Sequence, residues 1–484
     1  MTEQTIPIMK GDRVDKNVDY RDYLPVNMYA VQRDLMGVSG YMLCYPGLTE
    51  YSTDANLGID RGAIFNDRFG THFRVSGTNL IEVDEDGKIT VLGTISGTDQ
   101  VAMPYSYNTQ AIIGDGKMWV YDSTNGLIQV TDVDLGIPID GVWIQSIYFL
   151  TDGEYIFHTE IGDDTSVLPL DNDTSEFSPD RIMGVGKTRD NKAIVFGRYF
   201  IEHYSYTGAE DFSFAVIESR AQKIGLIATH AKVDVNGKYY FLGSRRESSP
   251  GIYAIDSGQY TKISTREIDK LICHCSESDF QYSRFEARML HNDIFIIMHL
   301  PNITLYYNTT TADAFGSDKA WGEIRTGYAY SYVPGIYIPA QDTNLTYRGI
   351  NGVYDQRNSK WIYGDRREGI LGYLDTEKFT QYDEIQEWHL STPFINLERM
   401  SIDQIELETL PGFNSDDDAR VAISTTHDGI VHGSEWWTLY GTKYDYNQRF
   451  IIRRLGYVSD WIGFKLRGAT DARMSFSNFK LTFS

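Results

Sequence analysis

Several stretches of this chain carry side chains of the types and spacings that do chemistry. Met183-Gly184-Val185-Gly186-Lys187-Thr188 has the form of the end of a phosphate-binding loop, where glycines let backbone amides cradle phosphate and a lysine neutralises it. The first glycine of that motif would fall at Arg181, and no helix-forming run follows Thr188 to hold an anion at its N-terminus. Asp171-Asn172-Asp173-Thr174-Ser175-Glu176 alternates acids as a calcium loop does, but it lacks that loop's central glycine and closing glutamate. It reads as a solvated acidic loop. Cys273-His274-Cys275 cannot surround one tetrahedral ion from adjacent positions, and no second pair matches it. The ten histidines are scattered, with no nucleophile elbow, no H-E-x-x-H and no paired-carboxylate signature. The expectation is a protein with no catalytic residue, no cofactor and no metal.

The elements around these residues are strands. Arg181 to Ala209 holds a short apolar run, an Arg189-Asp190-Asn191 turn signal, and a β-branched and aromatic run from Ala193 to Tyr204. Thr207-Gly208 then ends it. The pattern predicts a buried antiparallel hairpin continuing into a third strand.

Similar units recur. Turn signals stand at Asp86-Gly87, Asp115-Gly116, Asp152-Gly153, Asp190-Asn191, Asn236-Gly237 and His291-Asn292, each between short apolar runs. Asp-Gly and Asn-Gly supply the positive φ that two-residue hairpin turns require. The irregular period of roughly 40 residues is that of a four-stranded propeller blade. Six to eight blades are expected over residues 39–387, with seven favoured and stacked β-sandwiches as the competing architecture. Ser39–Ser52 precedes the first full blade and is a candidate to complete the last one. Residues 388–484 hold about seven short apolar runs, the size of a β-sandwich. Residues 1–38 lack sustained alternation and read as an extended N-terminal arm.

Bulk composition limits the function. Hydrophobic residues make up 42% and charged residues 23% of the 484, with 34 Tyr and 23 Phe. No 18-residue apolar run or charged leader with an apolar core is visible, so no membrane segment or secretory route is expected. Three cysteines give no disulfide framework. A net charge of −23 opposes tight binding to nucleic-acid phosphate.

A family resemblance runs along the chain. It is carried by Pro7–Gly11, Asp19-Tyr20, Asp22-Tyr23-Leu24-Pro25-Val26-Asn27-Met28, and Ser39-Gly40-Tyr41 with Tyr45-Pro46-Gly47. It continues with Gly184, Gly186, Arg189-Asp190, Phe196-Gly197, Ile201-Glu202 and Thr207-Gly208-Ala209. Later matches are His299-Leu300-Pro301, Arg453-Arg454 and Gly463-Phe464-Lys465-Leu466-Arg467. On these residues the chain resembles the packaged-DNA stabilisation protein of short-tailed Salmonella-type phages, also called the tail accessory factor, tail hub or nozzle. His203 and Tyr206 depart from that pattern, where an aromatic and a leucine are expected.

The resemblance implies a structural virion protein in the phage tail, made in the host bacterial cytoplasm. It implies a homo-hexamer below the portal-adaptor ring, closed by a tail needle or plug and connected to receptor-binding tailspikes or fibres. Genomic DNA would pass through the lumen without tight binding. Asp22, Tyr23, Leu24, Pro25, Asn27, Gly184, Gly186, Arg189, Asp190, Glu202 and Gly208 are the expected family scaffold. The alternative is a propeller-type protein that binds or hydrolyses glycans, drawing acids from different blades.

Overall fold

Tight turns with positive φ cut the chain into short antiparallel strands. Asp115 and Gly116 have φ of 53° and 67°, and Asn236 and Gly237 have φ of 55° and 83°, the left-handed backbone such turns need. The computed structural model describes residues 2–8, 24–35, 38–175, 177–209, 212–327, 346–409, 419–428, 431–469 and 471–484.

Seven small sheets follow one another in these residues. Blade one runs from Asp60–Asn66 to Ile89–Thr94 and blade two from residue 101 to Gly126–Gln129. Blade three spans Asp140–Ile144 to Asp163–Thr174, and blade four Ile182–Lys187 to Phe214–Val216. Blade five spans Gly225–Leu226 to Gln259–Lys262, and blade six Arg284–Leu290 to Trp321–Glu323. Blade seven takes three strands from Gly349–Asp355, Lys360–Asp365 and Leu371–Asp375. Its fourth is Gly47–Ser52, paired antiparallel to Leu371–Asp375. Gly47–Ser52, the second half of the stretch expected to complete the last blade, therefore closes the ring, while the first half joins the sandwich sheet described below.

Hydrophobic clusters lie between neighbouring blades rather than within them. Ala193 and Val195 of blade four pack on blade three, while Ile194 and Phe196 pack on blade five. That arrangement explains an apolar run without polar alternation: both faces are covered. Ile81 and Val83 of blade one meet Leu371 of blade seven, which completes the circle.

The drift in turn spacing has a simple cause. Asp86-Gly87 joins the third and fourth strands of its blade, Asp115-Gly116 the second and third, and Asn236-Gly237 the first and second. The turn signals mark different corners of a regular unit. Between blades five and six the helix Arg266–Ile272 lengthens the connection, capped by Thr265 accepting from the Ile268 amide. This helix and Thr309–Phe315 were not anticipated from the sequence.

The second body is a two-sheet sandwich. One sheet runs Met28–Leu35, Val38–Cys44, Ser475–Phe483, Met400–Thr409, Phe450–Val458, with Thr2–Pro7 also on Ser475–Phe483. The other contains Trp388–Ser391, Trp461–Gly468, Arg420–Thr426 and Trp436–Leu439. Segments at the start of the chain, read above as an arm and lead-in, thus form strands of this sheet. The paired ends of the Met28–Cys44 hairpin, Met28–Ala30 and Tyr41–Cys44, are buried on both sides. Met28, Ala30, Met42 and Cys44 face the sandwich core, while Tyr29, Tyr41 and Leu43 face blades six and seven.

Ring closure is testable at Leu48, which is fully buried on the closing strand. Leu48→Ala should lower stability by about 2–4 kcal/mol. Urea unfolding of the whole chain would measure it; a change under 1 kcal/mol would contradict closure by this strand.

Candidate functional site

Charged side chains collect where the inner strands converge on the propeller axis. Asp140 Oδ2 of blade three accepts from Lys232 Nζ of blade five at 2.6 Å and from the Val185 amide of blade four at 2.9 Å. Blades three and five are not neighbours, so this pair reaches across blade four. A Cβ at Gly184 would lie 2.8 Å from Asp140 Oδ2, which is why this position is glycine. His230 of blade five lies near the Gln100 backbone at the entry to blade two. Burial pushes its imidazole well below the ordinary range.

A second group locks blades one, six and seven. Asp60 Oδ2 accepts from Arg74 Nη1 at 2.7 Å and Asp60 Oδ1 from Asn351 Nδ2 at 2.6 Å. Arg74 Nη2 donates to the Asn351 and Ile362 carbonyls, both at 3.1 Å. Burial raises the Asp60 carboxyl above its usual range against the opposing pull of Arg74. Glu286 Oε2 accepts from the Gly352 amide at 2.9 Å. Arg288, fully buried, is hydrogen-bonded to the Tyr45 hydroxyl and lies 4.3 Å from the Tyr363 ring centroid, a cation held on aromatic faces.

These carboxylates are engaged by Arg, Lys, Asn and amide donors. The arrangement acts as an electrostatic clamp, with its charges neutralised inside the fold. Sequence reasoning missed Asp60, Arg74, Asp140, Lys232 and Glu286. The available signal was a charged residue just ahead of, or at the start of, each inner-strand run, as in Asp60-Arg61-Gly62-Ala63-Ile64.

The scaffold residues expected from the sequence fall into two places. Asp22 and Tyr23 lie outside the described residues. Leu24 packs against the cluster between blades five and six. Pro25 O accepts from the Glu323 amide at 2.9 Å. Asn27, at φ 52° and fully buried, uses every polar group it has. Its amide donates to Glu323 O at 2.9 Å and its carbonyl accepts from the Tyr45 amide at 2.8 Å. Nδ2 donates to Glu387 O at 2.6 Å, and Oδ1 accepts from the Arg325 amide at 2.8 Å. One residue thus ties blade six, the closing segment and the entry to the sandwich.

The rest lie on blade four. A Cβ on Gly186 would meet the Tyr239 hydroxyl at 2.4 Å; that hydroxyl accepts from the Lys187 amide at 2.8 Å and joins blades four and five. A Cβ on Gly237 would meet Arg189 Cβ at 2.4 Å. Burial opposes ionisation of Asp190, but donors from Thr188, Lys192 and Arg220 outweigh it and hold the carboxyl well below its usual range. Glu202 Oε1 accepts from the Phe177 amide at 2.6 Å, and Gly208 takes φ 68° after the third strand. Asn27 and the blade-four group are not brought together. The Met183–Thr188 run is a strand and turn, with no helix after it. Among the described residues no group of three or more His, Cys, Asp or Glu is arranged to hold a metal ion.

Comparison with known proteins gives this architecture its family. A model described as "Bacteriophage P22 Gp10, beta-propeller" matches residues 4–379, and one described as "Bacteriophage P22 Gp10, beta-sandwich" matches residues 387–484. The chain belongs to the bacteriophage P22 Gp10 family. A relative within this Gp10 family, the tail hub protein gp10 of Salmonella phage P22, is 28% identical over 499 residues, covering 99% of each chain. Among solved structures, catalytically inactive virginiamycin B lyase from Staphylococcus aureus superposes at TM-score 0.44 and 11% identity, covering 68% of this chain and 99% of that one. The extracellular domain of a putative hybrid two component system from B. thetaiotaomicron does so at 0.41 and 10%, covering 68% and 40%. These two superpositions are too loose to bear on activity. No helix among the described residues is long and apolar enough to cross a membrane.

Two outcomes follow for this Gp10-family chain. Asn27→Ala should cost about 2–5 kcal/mol, since it leaves buried partners on both sides of the junction without a bond; an unshifted thermal melt would refute that tie. Burial, with the Arg220 charge, lowers His203 to about 4, and burial also lowers His72, His299 and His389. A histidine with a depressed folded pKa binds more protons when unfolded. Its stabilising effect is therefore complete above about pH 6.5 and is lost as pH falls below that value. Stability should decline between about pH 6.5 and 4, and His203→Phe should flatten the decline, as followed by urea midpoints across pH.

Proposed function

We propose that this chain is the structural hub of a short phage tail. In this reading six copies form a ring below the portal and its adaptor ring, extending the DNA channel and retaining the packaged genome. A needle-like plug closes the ring and receptor-binding spikes or fibres attach to it. The protein is made in the host bacterial cytoplasm and ends in the virion.

The observation that carries this reading is collinearity: the similarity to a protein named tail hub runs through both domains and 99% of each chain. The chemistry fits passive plumbing. A net charge of −23 opposes adsorption of DNA phosphate to the ring wall. Asp140 and Lys232 pair across the inner edge of blade four and are largely buried, so side chains occupy that part of the propeller centre. DNA would run through the lumen between copies. The reading is of a structural part, and glycan hydrolysis by the purified chain would count against it.

Adding the purified chain to DNA-filled heads that lack tail parts tests the proposal. The expected result is co-sedimentation with the particle in multiples of six and retained, nuclease-protected DNA. Heads that never take up the chain would overturn it.

A further inference from the structure

The hub reading leaves open how one copy meets the next, and two distant surfaces of the chain differ sharply in character. Residues 118–180 contain thirteen Asp and Glu and no Lys or Arg; Asp140 and Asp171 are buried and Asp180 is bound by Arg246, while Asp134, Glu154 and Asp163 are exposed. They form the outer part of blade two and nearly all of blade three. The same region holds Ile128, Val133, Ile137, Ile161 and Leu168, five of the nine exposed Ile, Leu and Val side chains among the described residues. Val133 is 92% exposed. Gly126–Gln129 and Asp163–Thr174, which carry Ile128 and Leu168, are the outermost strands of their blades. Concentrated exposed aliphatics within an acidic field are unusual on a free surface.

The second surface lies on the sandwich. Phe450–Val458 is the last strand of its sheet, three strands beyond Val38–Cys44 and therefore about 14 Å from it. The hairpin ending in Val38–Cys44 is the part that packs on blades six and seven, so Phe450–Val458 is the edge of that sheet remote from the propeller. Tyr444, Tyr446 and Tyr457 are 71%, 57% and 61% exposed beside it, with Arg453 and Arg454 also exposed. Arg454 and Gly456 have φ of 65° and 99°, and the pairing shifts register between Ile402 and Gln404. A kinked, arginine-bearing edge resists addition of another strand. Contact there would be made by side chains, and tyrosine with arginine is the composition of interface anchors.

We propose that these two surfaces bind each other between copies: the acidic, aliphatic rim of blades two and three of one copy receives the basic, tyrosine-rich sandwich edge of the next. The charges are complementary, and each side supplies exposed apolar area. The sandwich is anchored at blades six and seven, on the far side of a seven-bladed ring from blades two and three. The two surfaces are therefore different and lie at opposite ends of the molecule. Such a contact is heterologous and repeats from copy to copy until it closes, as a ring requires. The proposal rests on the hub reading and names the partner as a second copy of this chain.

Sedimentation velocity of the full-length chain over rising concentration, at low and high salt, tests it together with binding to DNA-filled, tail-less heads. The double variant Arg453→Glu/Arg454→Glu should weaken self-association at least about tenfold, as should Asp134→Lys/Glu154→Lys beside Val133 and Ile137, and salt should weaken the wild type in the same direction. All four side chains are exposed, Arg453 donating to Gln404 Oε1 at 3.3 Å, and unchanged thermal melts would verify folding. Combining both pairs on one chain should restore association by reversing the charge on both sides. Wild-type and variant chains that associate equally, or assembly that stops at a symmetric dimer, would overturn the contact while leaving head binding intact. Failure of the wild type to bind heads at all would instead sink the hub reading.

Discussion

Every sheet in this propeller depends on having a neighbour. A four-stranded blade cannot bury both of its faces alone, and the hydrophobic clusters sit in the seams between blades. Such a stack is stable only when its first and last members meet. Here they meet through Ile81, Val83 and Leu371, with Gly47–Ser52 hydrogen-bonded onto the last blade. Closure is therefore the constraint from which the rest follows, and it removes the exposed blade faces that an open stack would leave.

The charged axis is the counterpart of those apolar seams. Gly184 shows how closely the inner strands approach, since a Cβ there would lie 2.8 Å from Asp140 Oδ2. Paired charges such as Asp140 with Lys232 fill that space and fix the order of non-adjacent blades. Removing either partner would leave a buried charge alone, which is costly even where the pair itself adds little net stability. The sandwich uses the same logic at Asn27, whose side chain and backbone together satisfy donors and acceptors from three segments.

Local chemistry was legible in the sequence where it is set by single residues. Asp115-Gly116 and Asn236-Gly237 announce turns because few other pairs tolerate their backbone, and the run from Ala193 announces a strand by its β-branched content. What was hidden depends on residues distant along the chain. Met28–Ala30 shows no alternation because both faces are buried, one by the sandwich and one by the propeller, which gives the stretch the texture of an arm. Arg74 and Asn351 are 277 residues apart, and nothing local marks them as partners. The scaffold glycines Gly184 and Gly186 were noted from resemblance, but their cause, the approach of Asp140 and Tyr239, needed three dimensions. The short helix at Arg266 carries a local signal, its capping Thr265, but at seven residues it is too short for helical periodicity to show.

The closing strand also sets a timetable. Gly47–Ser52 leaves the ribosome early, yet its partner Leu371–Asp375 is synthesised more than 300 residues later. At about 5–20 residues per second, that interval is on the order of tens of seconds. Throughout it the nascent chain must carry an unmatched β-segment at one end and an unfinished stack at the other. Intact wheels thus become available only near the end of translation, and any pause before residue 371 would prolong exposure of the sticky intermediate.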